Sequence, residues 1–226
     1  MVRYQFRKLP DVAKTPIPLS DLSVSGVRHR TASYFGYEFE LPSDDVDEEK
    51  DKTFGTAHVS HFRSGNAFWF STFPPKDFVD EVMKTGNLGP QDLKQLYGED
   101  ALESDYAFHK KMLELTPSEI TPFISRRQAI SEQVLLGIKA ISMPKAGSGI
   151  FSIQTRDFKG FQFENPQTRP SRITVKLFSN DGGIYVIFMQ KPGAFAISQA
   201  EINRVIQSIH KTPLQTASTA VSQNQQ

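Results

Sequence analysis

Apolar and polar side chains alternate with period two from Tyr37 to Leu41. Tyr37, Phe39 and Leu41 fall on one side, and Glu38 and Glu40 on the other, as on a half-buried strand. The pattern predicts a strand over 34–41, ended by Pro42. Residues 56–63 and 67–73 read as two more strands. Ser64-Gly65-Asn66 joins them, because Gly and Asn tolerate the positive φ of a tight turn. Phe68, Trp69 and Phe70 are consecutive in the second of these, so the three rings cannot share a face. Either both faces of this strand are covered, or one meets helices and the other a ligand or partner.

The period then changes to that of a helix. Pro74-Pro75 stops the strand, and Phe78, Val79, Val82 and Met83 form one apolar stripe ending before Gly86. Gly89-Pro90 opens a short helix with Leu93, Leu96 and Tyr97. Leu102, Tyr106, His109 and Leu113 lie at helical spacing on a third. Thr116-Pro117-Ser118-Glu119 and Ser125 with Gln128 read as capping boxes ahead of Ile130, Val134, Ile138 and Ile141.

The last third returns to period two. Strands are expected in 149–155 and 160–164. In 171–180, Ile173, Val175 and Leu177 face in while Arg172, Thr174 and Lys176 face out. Asn180-Asp181-Gly182-Gly183 is a hairpin signal, and 184–190 is apolar on both faces, as in a central strand. A final helix starts at Ser198, boxed with Glu201, and buries Ile202, Val205, Ile206 and Ile209.

The fold expected is therefore α+β: a mainly antiparallel sheet of about six or seven strands packed with helices, with a helical insertion between two strand groups. Residues 1–30 read as an irregular arm, because Pro10, Pro16 and Pro18 prevent a continuous helix or central strand. Residues 31–211 form one domain with its helical block at 75–143, and 212–226 is a polar tail expected to be disordered.

Composition adds three constraints. With 18 Phe against 6 Tyr and 1 Trp, a sizeable core is needed to bury the rings. A net charge of +1 provides no global field for nucleic acid or anionic lipid. The absence of cysteine removes disulfides, thiol nucleophiles and thiolate metal ligands. No apolar run approaches the roughly 20 residues of a membrane span. The first ten residues lack the apolar segment of a signal peptide; a chain that had lost an anchor would read the same way.

Three stretches resemble the PsbP-like superfamily. YFGYEFELP (34–42) is similar to its opening Gly–aromatic–x–Phe–x–x–Pro strand, FSNDGGIYVIFMQ (178–190) to its last strand pair, and ISQAEINRVIQSIH (197–210) to its closing helix, with Ser208 near the end. The resemblance implies an α/β/α sandwich used for binding or assembly. Its members include an extrinsic photosystem II subunit, bacterial periplasmic lipoproteins and a Ran-binding protein. A partner's identity does not carry over with a fold.

No catalytic signature emerges from the residues. His58 and His61 have H-x-x-H spacing, but residues three apart on a strand point to opposite faces. His29, His109 and His210 lack companions at ligand spacing. The acidic run Asp44, Asp45, Asp47, Glu48, Glu49 and Asp51 fails as a calcium loop. Counted from Asp45, its sixth residue is Lys50 and its twelfth Thr56, where Gly and Glu are needed. It reads as a solvated loop, or as a surface for a basic partner. AGSGI (146–150) lacks the spacing of a nucleophile elbow or a phosphate loop. Arg126-Arg127 opposes the dipole at a helix start and hints at an anion.

Trp69, Phe161 and Phe163 are the candidate lining of an apolar groove; core packing is the plainer role for such rings. No catalytic residue, metal or cofactor is assigned. The expectation is a non-enzymatic protein-binding or assembly module, with no nucleic-acid partner. The alternatives are a carrier of a small apolar ligand, or an enzyme in which Glu38, Glu40, His58, His61 and Asp157 converge.

Overall fold

Strand β10 (Gly182–Met189) sets the architecture. It lies between β9 (Arg172–Ser179) and β6 (Ala67–Phe73), antiparallel to both. Ile184, Val186 and Phe188 on one face are wholly buried. A computed structural model of the chain describes residues 12–16, 30–115, 136, 137, 139 and 149–212. From the far edge the main sheet runs β1 (Val12–Pro16), β7 (Ile150–Gln154), β8 (Lys159–Phe163), β9, β10, β6, β5 (Ala57–His61) and β4 (Lys52–Phe54). Every pairing is antiparallel except that of β1 with β7. A small sheet places β3 (Tyr37–Glu40) between β2 (Thr31–Tyr34) and β11 (His210–Lys211). The fold is α+β with a mainly antiparallel sheet, as the alternation requires.

Two layers cover the two faces. On one, Phe68, Phe70, Ile173, Val175, Leu177 and the inner row of β10 pack with Tyr37, Phe39 and Leu41 of the small sheet region and with the last helix, α4 (Gln199–Ser208). Phe39 stacks on Phe70 at 4.3 Å between ring centroids. Ser198 caps α4 by accepting from the Glu201 amide, while the Glu201 carboxylate accepts from the Ser198 amide. This is the expected box. On the other face, Phe161, Phe163 and Phe178 pack beneath the helical block. That block comprises α1 (Asp77–Gly86), α2 (Pro90–Tyr97), a 3-10 turn at Glu99–Leu102, and α3 (Asp105–Glu114). The Asp105 carboxylate accepts from the Val79 amide in the first turn of α1, tying α3 to α1.

The structure departs from the sequence expectations in four places. The strand expected over 34–41 is a hairpin: Phe35 and Gly36 both take positive φ, and the chain reverses into β3. An aromatic residue in the first turn position hides that turn from composition. β4 was not expected; its three residues are all exposed and carry no alternation. β1 lies within the segment expected to be irregular, where an edge position and a strand end accommodate Pro16. Thr174 and Lys176, expected to face solvent, share the sheet face of Phe161 and Phe163 beneath the helical block; Thr174 is buried and Lys176 half-buried, near Phe78. The rest of the arm, the capping boxes and helix expected after Thr116, Arg126-Arg127 and the polar tail lie outside the described residues. Among the described residues, no helix is long and apolar enough to cross a membrane.

Gly160 allows β8 and β9 to approach closely. A Cβ there would lie 2.0 Å from the Lys176 carbonyl oxygen and 3.0 Å from Leu177 Cα. Gly160→Ala is expected to lower stability by about 2–3 kcal/mol in urea unfolding. An unchanged midpoint would contradict the close approach.

Candidate functional site

The sheet register places the three groove candidates on one face. Trp69 pairs with Ile187, Ile187 with Thr174, and Thr174 with Phe163, so Trp69 and Phe163 occupy one row, three strand steps or roughly 14 Å apart. Phe161 lies in the next row with Lys176, Tyr185 and Ser71. Phe161 and Phe163 are buried under the helical block, and Tyr106 of α3 stacks on Phe161 at 5.2 Å. Trp69 is half-buried, and its Nε1 donates to Ser71 Oγ at 3.1 Å.

Four of the five residues of the enzyme alternative take separate partners, and the fifth, His61, ends β5. Glu38 faces His210 at 3.8 Å, Glu40 faces Arg204 at 3.4 Å, and Asp157 lies beside Arg156. His58 is buried, with Tyr34 stacked on it at 3.6 Å. Its Nε2 meets Asp51 at 3.0 Å and its Nδ1 meets Thr53 Oγ1 at 2.8 Å. This hydroxyl–imidazole–carboxylate chain ties the β4 edge to β5. Neither surface cavity described below includes it. Among the described residues, no group of three or more His, Asp or Glu is placed to hold a metal.

One surface combines shape, an apolar anchor and charge. A cavity of about 400 Å³ lies where the β5–β6 turn, the acidic loop and the start of α4 meet. Phe62 and Ile197 lie at its base, both buried, and Asp44, Asp45 and Glu201 line it with no basic residue among its lining. At its lip, Phe195 is 88% exposed. The loop carrying that ring is fixed. Asn66 Nδ2 donates to the Phe195 carbonyl at 2.9 Å, Asn66 Oδ1 accepts from the Lys191 amide, and Gln190 Oε1 accepts from the Ile197 amide at 2.9 Å. The acidic loop is fixed as well: Asp45 accepts from the Ser64 amide at 3.0 Å and from Ser43 Oγ, and Asp44 accepts from the Arg30 amide. A second cavity, of about 280 Å³, lies beside Tyr106, Arg156 and Lys159.

Lys176 occupies a different environment, between the sheet and the helical block. Its ammonium lies 5.9 Å from the ring centre of Phe78, 5.7 Å from Phe163 and 5.8 Å from Tyr185. His109 Nε2 is 3.4 Å away. His109 Nδ1 meets the Asp105 carbonyl oxygen, which can only accept, so Nδ1 carries the hydrogen and Nε2 presents its lone pair to Lys176. Burial lowers the Lys176 pKa from 10.5 to about 8. Burial, followed by the neighbouring lysine charge, holds the His109 imidazole neutral well below its usual range. Sequence reading missed this pair because alternation gives the side of a strand and not what covers it.

No family model, curated protein or solved structure matches the chain.

The depressed Lys176 pKa has a consequence for stability. The unfolded chain binds the proton up to about pH 10.5, whereas the folded chain loses it from about pH 8. Folding is therefore penalised below pH 8, and the penalty is relieved as pH rises toward 10.5. Lys176→Met is expected to stabilise the protein by on the order of 2 kcal/mol at neutral pH. That gain should shrink between pH 8 and 10.5, as read from thermal melts across that range. A destabilised or pH-independent variant would contradict the assignment.

Proposed function

We propose that the chain is a non-enzymatic protein-binding or assembly module, and that the Phe195 surface is where it engages its partner. The observation that carries this reading is a fully presented aromatic ring on a hydrogen-bonded loop beside an acidic cavity. A ring held in water gains about 1.5–3 kcal/mol when a partner buries it, and a pinned loop loses little conformational entropy on docking. Apolar anchors surrounded by polar residues are the usual energetic centre of an interface.

The charge of the surface specifies the partner. Asp44, Asp45 and Glu201 favour a basic segment, with an apolar side chain entering over Phe62 and Ile197. This agrees with the acidic run read as a surface for a basic partner. The helix–sheet–helix layering is also in keeping with the PsbP-like resemblance, whose members are used in binding and assembly.

Affinity capture with wild type, Phe195→Ala and Phe54→Ala tests the reading. Phe54 is 54% exposed on β4 and serves as the aromatic control. The expected result is a stoichiometric partner retained by wild type and by Phe54→Ala, with at least about tenfold weaker binding to Phe195→Ala. Binding should also weaken as salt rises. Equal retention by Phe195→Ala, or no partner for wild type under crosslinking, would contradict it.

A further inference from the structure

The Lys176 centre lies on the opposite face of the sheet from α4 and plays no part in the docking reading. Lys176 is half-buried, and a lysine turned into a packed layer ordinarily faces a carboxylate. Here the described groups around the ammonium are three ring faces and the Nε2 of His109. The ionisable groups facing it are His109 from α3 and Tyr185 from β10; α1 presents Phe78 and β8 presents Phe163. None is a carboxylate. Among the described residues no carboxylate faces the lysine; three ring faces and a neutral imidazole are its partners.

We propose that Lys176 is a nucleophilic amine that condenses with an aldehyde carrying an apolar or aromatic body, forming an iminium inside the Phe78–Phe163–Tyr185 cage.

The chemistry balances without an oxidant or reductant. The neutral amine adds its lone pair to the carbonyl carbon, forming the C–N bond. The carbonyl oxygen takes up two protons and leaves as water, and a C=N bond remains. With one further proton the product is an iminium, which keeps the positive charge of the original ammonium. The three rings then still face a cation, and the iminium N–H donates to the same His109 Nε2. The amine is available for this reaction because burial has brought its pKa to about 8, so a substantial fraction is neutral near physiological pH. The aromatic lining selects an apolar aldehyde body, because no second cation among the described residues faces it for a carboxylate or phosphate.

The test uses benzaldehyde with cyanoborohydride, which reduces the imine to a stable benzylamine, on the folded full chain. Peptide mapping follows each lysine across about pH 6–10. Lys52 and Lys159, both exposed strand lysines, are the internal references. The expected result is benzylation of Lys176 about tenfold faster than of either reference near neutral pH, rising to a plateau just above pH 8. Lys176→Arg should remove that fast phase and leave the rates at Lys52 and Lys159 unchanged. Modification of Lys176 no faster than the references, or only after unfolding in urea, would overturn the proposal.

Discussion

A strand with apolar side chains on both faces must be covered twice, and the rest of the molecule follows from that requirement. β10 alternates Ile184, Val186 and Phe188, wholly buried, with Tyr185, Ile187 and Met189, half-buried, so one face is covered completely and the other in part. The two coverings differ in kind. One is a closely packed layer of α4 and a small sheet whose Phe rings stack on those of β6. The other is a group of short helices over β7, β8 and β9, tied together by Asp105. Each covering leaves one feature that burial alone does not account for: Phe195 outside the first, and Lys176 beneath the second.

The two features are opposite exceptions to the hydrophobic rule. Phe195 is a large apolar ring in water on a loop fixed by Asn66, and Lys176 is a half-buried cation among aromatic rings with no described carboxylate to meet it. The ring gains nothing from folding, and the desolvated lysine opposes it. Each is the basis of one proposal, a protein for the ring and a carbonyl compound for the amine. The features lie on opposite sides of the sheet, so neither inference depends on the other.

The sequence made much of the frame legible, because its signals were local. Ser64-Gly65-Asn66 and Asn180-Asp181 mark reversals by residues suited to positive φ or tight turns, and Ser198 with Glu201 marks a helix start by reciprocal hydrogen bonds. The β2–β3 reversal was hidden because Phe35 occupies a turn position by tertiary constraint rather than by preference. β4 was hidden because three exposed residues have no period. The sites were less legible than the frame. Phe161 and Phe163 were placed in a groove with Trp69. They share its face, but they are buried beneath the helices that the sequence also predicted. Lys176 and His109 are 67 residues apart, and no spacing rule joins them. Phe195 counts in any composition as core, and only the fold shows its ring outside.

The proposed docking through Phe195 is open to a direct measurement. Photo-crosslinking tests it most directly, with a benzophenone amino acid placed at position 195 in one protein and at position 54 in another. Docking through the ring predicts one dominant protein adduct from position 195 and none from position 54. Adduct formation from position 54 alone, or equal and diffuse adducts from both, would contradict it.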